Sequence, residues 1–387
     1  MINNKNIPLF KVFMSDEAIK SSSEVLSSGY ITQGPIVDKF EKLLMSYFSN
    51  EQVVTTNSAT SGLHLIIHML KEYGLGDQKV KIEDTEDHIL TTPLTCTATN
   101  WPILSNNVNL RWVDVDKTNC NISLDDLEKK LNKNTKAVMV VHWGGYPVDL
   151  VRLKQIQENF EKKYGFKFVI IEDCAHGFGS KFNNKLLGNH GNISVFSFQA
   201  IKHMTSVDGG CVIFNSSQDY ERAKLLRWYG IDRNENRKDF RCEEDIKEIG
   251  FKFHMNDVNA SIGIENFHHV TNEKLEINIE NGLYYNDKLK NVPGVQVMDY
   301  SMQSEVPFWI YTIKVKNRDG FMRHMQEKNI ATSRVHERND IHTVVQKYLT
   351  KLPELDSFVD EMICIPVGWW VTQQDRKYIV NTIKEGW

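Results

Sequence analysis

The chain has 387 residues, 41% hydrophobic and 25% charged, with a formal net charge of -4 at pH 7. That length outgrows a single hydrophobic core, so two domains are expected, and the ordinary composition excludes a disordered chain or a coiled-coil rod. The small acidic excess excludes a general attraction to nucleic acid or to an anionic membrane. No apolar run reaches the roughly 18 residues of a membrane span, and residues 1–6 are polar with no signal-peptide core behind them, so a cytoplasmic protein is expected. Six cysteines (Cys96, Cys120, Cys174, Cys211, Cys242, Cys364) lie scattered, and the 13 histidines show no ligand spacing. Neither a disulfide framework nor a metal site is expected, and the pair His268-His269 is expected on a helix surface.

Ser15 with Asp16 and Glu17 behind it reads as an N-cap with an acidic first turn, opening a helix through about Ser27 that Gly29 ends. Pro35 at a helix start, with Ile36, Phe40, Leu43, Leu44 and Phe48 at helical spacing, predicts a second amphipathic helix. Residues 53–56 read as a strand, and 57–62 as a small-residue turn into a helix over 63–73. Strands then alternate with helices: strands at 89–92, 108–115 and 137–142, a helix capped by Ser123 with Asp126 three residues on, and another over 153–163. Strands at 166–171, 193–198 and 211–214 lead to helices at 219–229, 258–267 and 273–289. Short strands at 294–298 and 308–315, a helix at 321–328 and a terminal helix from Gln373 complete the chain. Such alternation predicts an α/β fold, a mostly parallel sheet with helices on both faces, whose ligands collect at the carboxyl ends of the strands. The expected division is a large domain over 1–265 and a smaller C-terminal α+β domain over 266–387.

Chemistry concentrates in Glu172-Asp173-Cys174-Ala175-His176 and, some two dozen residues later, Ser197-Phe198-Gln199-Ala200-Ile201-Lys202-His203. The strand over 166–171 places Asp173 at its tip, and the strand over 193–198 delivers Ser197 and Lys202 to the following turn. A lysine able to form a Schiff base and an aspartate able to pair with a pyridinium nitrogen are what pyridoxal 5'-phosphate (PLP) requires of a protein. Taken singly, Asp173 also reads as a turn former and Lys202 as a solvated charge. Ser58-Ala59-Thr60, at the head of a helix, reads either as an ordinary hydroxyl cap or as an anion site. No G-x-G-x-x-G follows a strand, which counts against a Rossmann dehydrogenase.

The block 172–176, the block Phe196 to Lys202 and Asp208-Gly209-Gly210 together resemble the PLP-dependent sugar aminotransferases of the DegT/StrS type, within fold-type I PLP enzymes. The likeness runs nearly end to end and is most specific up to about residue 260. Residues 25–35, ending Thr32-Gln33-Gly34-Pro35, resemble the family's leader segment, and 141–149 its His-x-x-Gly-x-Pro-x-Asp loop. The resemblance implies a three-layer, aminotransferase-like fold and PLP as cofactor. It implies that Asp173 keeps the pyridine nitrogen protonated, that Ala175 lies against one ring face, and that Ser58, Ala59, Thr60 and Ser197 hold the phosphate. Lys202 forms the Schiff base and then, as a free amine, moves the proton. His176 reads as a further cofactor partner or as a satisfied core histidine.

Two positions depart from the family pattern. Cys96 stands where many members stack an aromatic residue on the ring, unless nearby Trp101 supplies that contact. Lys252 and His254 replace the Asn and Arg of Gly-x-Asn-x-Arg-Met, where the Asn reaches the phosphate of the neighbouring subunit; Lys252 reads as a stronger form of that contact or as a surface lysine. The resemblance further implies an amino donor, L-glutamate, a keto- or aldehydo-sugar acceptor, typically nucleotide-linked, a role in surface polysaccharide or glycan synthesis, and a homodimer with shared sites. The alternatives are a sugar dehydratase of the same fold, which carries His where Lys202 stands, and a non-catalytic regulator.

Overall fold

The computed structural model describes residues 6–233, 245–300 and 302–387, so that Cys242 lies outside the described residues. The chain opens with α1 (Asp16–Ser28), α2 (Pro35–Phe48), β1 (Val53–Thr56), α3 (Ala59–Glu72), β2 (His88–Thr91), α4 (Thr97–Ser105) and β3 (Asn109–Trp112). It continues with α5 (Leu124–Lys130), β4 (Thr135–Val141), α6 (Leu150–Tyr164), β5 (Val169–Asp173), the short β6 (Lys181–Phe182) and β7 (Lys185–Leu186), β8 (Ile193–Ser197), β9 (Gly210–Ile213) and α7 (Ser217–Leu226). Then come α8 (Asp257–His269), a π turn over Val270–Lys274, α9 (Leu275–Leu289), β10 (Val295–Val297), β11 (Ser304–Glu305) and β12 (Tyr311–Val315). Last are α10 (Arg318–Glu327), α11 (Pro353–Glu361), β13 (Met362–Ile365) and α12 (Gln373–Glu385).

Seven strands form the main sheet in the order β1-β9-β8-β5-β4-β2-β3. β9 runs antiparallel to both its neighbours, and the pairings from β8 across to β3 are all parallel. Consecutive residues of each strand alternate between two hydrophobic clusters, one on either face: Ile89, Met139, Ile171, Val195 and Val212 in one, Leu90, Val138, Ile170, Phe196 and Ile213 in the other. A strand buried on both faces reads as a continuous apolar run, as Val138-Met139-Val140-Val141 does, and must be covered by helices on both sides. The result is three layers. A second, antiparallel sheet, β10-β12-β13, is built from strands of the C-terminal part of the chain.

The local signals work as their chemistry dictates. The Ser15 hydroxyl accepts from the Ala18 N–H, Gly29 closes α1 at φ 76°, and Ser123 accepts from the Asp126 N–H. The helix expected from residue 63 begins instead at Ala59, because Ser58 accepts from the Ser61 N–H and makes the small residues its first turn. α4 was not foreseen; it carries Pro102 internally and has no one-sided apolar pattern. The expected domain division at 265/266 falls inside α8. Among the described residues no helix is long and apolar enough to cross a membrane.

Candidate active site

The parallel register aligns Val141 with Asp173 and Asp173 with Val195, so β4 and β5 end together and β8 runs on to Ser197. Over those ends lies a cavity of about 280 Å³, lined by Ser58, Ala59 and Thr60 from the head of α3, Cys96 at the N-cap of α4, Asp173, Ala175, His176, Ser197 and Lys202. Lys252 is not among the lining residues: its side chain is exposed, and its carbonyl accepts from Asn57 Nδ2 at 3.2 Å. Trp101 does not line the cavity either, its ring standing edge-on to His342 with centroids 5.7 Å apart. Trp309 and His336, from the C-terminal third of the chain, do line it, and nothing in the sequence had marked them.

Asp173 is 4% exposed. Its Oδ2 accepts from the Thr99 hydroxyl at 2.7 Å and its Oδ1 from the Ala175 N–H at 3.0 Å. With the Thr99 proton committed to the carboxylate, the 2.8 Å contact between Thr95 and Thr99 has Thr95 as donor. Both oxygens of a buried carboxylate are thus held by donors, which fixes the plane of the charge.

Lys202 sits in a tight turn after β8, its N–H donating to the Gln199 carbonyl at 2.9 Å. Burial lowers its pKa from 10.5 to about 8, against the opposing pull of Asp173. Its Nζ lies 3.7 Å from the Trp309 ring centroid.

Three imidazoles surround this amine. His176 accepts at Nδ1 from the Gly144 N–H at 3.3 Å, which leaves its hydrogen on Nε2, and burial with the nearby Lys202 drives its pKa well below the ordinary value. His203, donating to the Pro307 carbonyl at 3.2 Å, and His336 are both lowered to about 4, chiefly by burial. His203 Nδ1 and His336 Nε2 are buried without a hydrogen-bond partner. All three rings are neutral at pH 7.

At the head of α3, the Ser58 hydroxyl accepts from the Ser61 N–H at 3.0 Å. The N–H groups of Ala59 and Thr60 precede any intrahelical acceptor and are available to an anion. β9 approaches this head closely because of Gly210, where a Cβ would stand 2.5 Å from Ala59 N and 2.7 Å from the Phe196 carbonyl oxygen.

His142, Glu172 and Cys174 lie close enough together to hold an ion, yet the polar atoms of His142 and Glu172 are already engaged in hydrogen bonds. His142 Nδ1 accepts from the Val148 N–H at 3.0 Å, so Nε2 carries the hydrogen given to Glu172 at 2.8 Å, and Asn192 takes the other carboxylate oxygen at 2.7 Å.

An anion-binding helix head, a buried carboxylate and a primary amine match the three polar ends of PLP: phosphate, ring nitrogen and aldehyde. The protein is an enzyme of the PLP-dependent, fold-type I class. Within that class the chain belongs to the DegT/DnrJ/EryC1/StrS aminotransferase family, whose profile matches residues 13–384. Among solved structures it is similar to AtS13 of Actinomadura melliaura, at 44% identity and TM-score 0.94 with 100% of each chain covered. It is also similar to the sugar aminotransferase CalS13 of Micromonospora echinospora, at 40% identity and TM-score 0.92, covering 98% of this chain and 100% of the other. An uncharacterized protein of Methanocaldococcus jannaschii is 28% identical, with 100% of this chain and 98% of the relative aligned. The chain is a PLP-dependent sugar aminotransferase, which takes an amino donor and a sugar.

Proposed function

We propose that this sugar aminotransferase moves an amino group from L-glutamate to the carbonyl carbon of a keto- or aldehydo-sugar, typically nucleotide-linked, for surface polysaccharide or glycan synthesis in the cytoplasm. The observation that carries the reading is the convergence of Lys202 and Asp173 in one cavity. Similarity to a sugar aminotransferase at 40% identity supports the acceptor class.

PLP, when bound, supplies the electron sink that lets hydrogen leave a carbon as a proton. Asp173 presents a fixed negative charge to the ring nitrogen and keeps it protonated, while Ala175, being small, lets the ring lie against it on one face. The free N–H groups of Ala59 and Thr60, with the hydroxyls of Ser58, Thr60 and Ser197, hold the phosphate. Cys96 lines the cavity that the ring would enter, and His176 offers its Nε2 hydrogen. Lys202 would hold the cofactor through its Nζ, and with an amino donor in place that Nζ would be a free amine. With a pKa of about 8, its Nζ is neutral in a usable fraction near neutral pH, so it takes the proton from the donor's α-carbon and returns it one carbon away. On the sugar the same amine runs the reverse. Residues 1–265 carry this machinery, and 266–387 close it with Trp309 and His336.

The reading includes a homodimer. The loops around residues 30–34, 207–208, 229–233 and 251–259 are tied together by the bonds Asp257 N to Thr32 O, Asn259 Nδ2 to Asp208 O, Arg233 to Gln33 O, and Tyr229 N to Phe251 O. They expose Tyr30 (82%), Ile31 (47%), Val207 (47%) and Tyr229 (40%), apolar surface that supports an interface. The exposed Lys252 side chain lies in the same set of loops and reaches the partner's phosphate.

Rapid mixing of the loaded enzyme with glutamate alone tests the donor half. One equivalent of 2-oxoglutarate with loss of the cofactor's visible band is the expected result, and a band that persists with glutamate refutes the donor. Return of the band on adding keto- and aldehydo-sugars one by one then identifies the acceptor.

A further inference from the structure

We propose that Trp309 is the positioning residue for Lys202: its indole face seats the lysine ammonium, and its ring N–H fixes the turn that carries the lysine. The proposal rests on Lys202 as the residue that carries the cofactor.

Among the described residues, Lys202 Nζ makes no hydrogen bond and no ion pair; its close partner is the Trp309 ring, 3.7 Å away at the centroid. A half-buried ammonium without a hydrogen-bond acceptor is costly to leave unpaired, and the negative face of an indole is the best aromatic substitute. The same residue grips the backbone. Trp309 Nε1 donates to the carbonyl of Ile201, the residue before Lys202, at 2.8 Å.

Trp309 is itself fixed from every side. Its N–H donates to the Gly144 carbonyl at 2.9 Å, the His176 ring stacks on it with centroids 3.9 Å apart, and Phe10 packs at 5.1 Å. The preceding residue, Phe308, has φ 43°, a left-handed conformation unfavourable for a bulky side chain. That conformation persists because the Phe308 ring fills the space over Gly282, where a Cβ would come within 2.2 Å of it. A packed, strained corner of the C-terminal third of the chain therefore presses the indole onto Lys202.

The consequence falls on the released amine. Once the donor has displaced it, Lys202 must stay inside the cavity and change protonation state there. The indole favours the charged form while burial disfavours it. The other groups facing Nζ are Asp173 from β5, Cys96 from the head of α4, and the neutral rings of His176, His203 and His336. Asp173 and Trp309 are thus what keep the amine from losing its proton at still lower pH.

The test compares Trp309→Phe, which keeps a π face and loses the ring N–H, with Trp309→Leu, which loses both. In each full-length, cofactor-stripped protein, the titration midpoint of Lys202 is read by pH-dependent amine labelling and peptide mass spectrometry. Each loaded enzyme is assayed for kcat and for KM of the donor. Trp309→Leu is expected to lower the midpoint by about one unit and Trp309→Phe to hold it near wild type. Both are expected to lower kcat at least ten-fold with KM little changed. Equal midpoints in all three proteins, or wild-type kcat in either variant, overturn the proposal. If Trp309→Leu does not fold, kcat in Trp309→Phe decides. Borohydride reduction of the wild type separates the two claims: an adduct on another lysine defeats the assignment of Lys202, whereas an adduct on Lys202 with unmoved midpoints defeats Trp309 alone.

Discussion

Thr99 donates its hydroxyl hydrogen to Asp173 at 2.7 Å and receives one from Thr95 at 2.8 Å, so a helix head polarises the carboxylate through two hydroxyls in series. Thr99→Val keeps the shape and deletes the donor. A buried acceptor left without its donor costs about 1–3 kcal/mol. PLP affinity is expected to fall roughly ten-fold, the equivalent of about 1.4 kcal/mol, with the loss read by equilibrium dialysis. Unchanged affinity would show that the Ala175 N–H suffices.

Lys202 is expected to hold the cofactor as a borohydride-reducible Schiff base. Lys202→Arg keeps a charge but removes both the nucleophile and a base of usable pKa, so turnover should drop by many powers of ten. Lys202→His keeps an acid–base group but cannot form the covalent link. Peptide mapping after reduction and single-turnover mixing with glutamate check both.

The lowered pKa of Lys202 makes a signed claim about stability. Its folded value is about 8 against 10.5 in a free lysine, so between those values the unfolded chain binds the proton that the folded chain has released. The contribution of this residue to stability therefore rises with pH across that window, and its full cost, on the order of 3 kcal/mol, applies below about pH 8. Cofactor-stripped Lys202→Met should exceed the wild type in stability at about pH 6, with the difference shrinking towards pH 10. Urea unfolding at several pH values measures it, and a difference independent of pH refutes it.

Gly210→Ala forces a methyl group to within 2.5 Å of Ala59 N. β9 or the head of α3 must then move, at a cost of about 1–3 kcal/mol, and the phosphate site moves with it. Both thermal stability and PLP affinity are expected to fall; a loss of stability alone would separate the strand from the phosphate site.

In the proposed dimer Lys252→Ala is expected to weaken PLP retention without unfolding the protein, because its side chain is exposed. Light scattering should show a dimer for both proteins. Full activity in a monomer would reject the shared site.

The parts of this molecule legible in its sequence are those whose cause is local. Asp173 ends a buried strand and Lys202 lies in the turn that follows another, both strands marked by β-branched residues, and Ser58 announces a helix start by its side chain. Thr99 was hidden because α4 has no amphipathic pattern to locate it and Pro102 argued against a helix. Trp309 and His336 were hidden for a different reason. They reach the cavity through left-handed backbone at Phe308 (φ 43°) and Val335 (φ 67°), positions that only tertiary packing holds and that no propensity of Phe or Val would suggest. Nor does the cavity of one chain include Lys252, a residue read from its likeness to a contact between subunits.

From Asp257 to Leu289 the backbone is one helical rod whose pitch is relaxed for a single turn at Val270–Lys274. At its start, Asp257 accepts from the N–H groups of Gly34 and Val37; farther along, Gly282 seats Phe308, and Asn281 donates to the carbonyls of Val367 and Val371. The rod is therefore a camshaft, and the wide turn sets its phase. Removing one residue from that turn would swing everything beyond it by about 100°, carrying Gly282 out from under Phe308 while leaving Asp257 in place. Angular timing between the turn at Gly34–Val37 and the corner at Phe308 is built into the five residues Val270–Lys274.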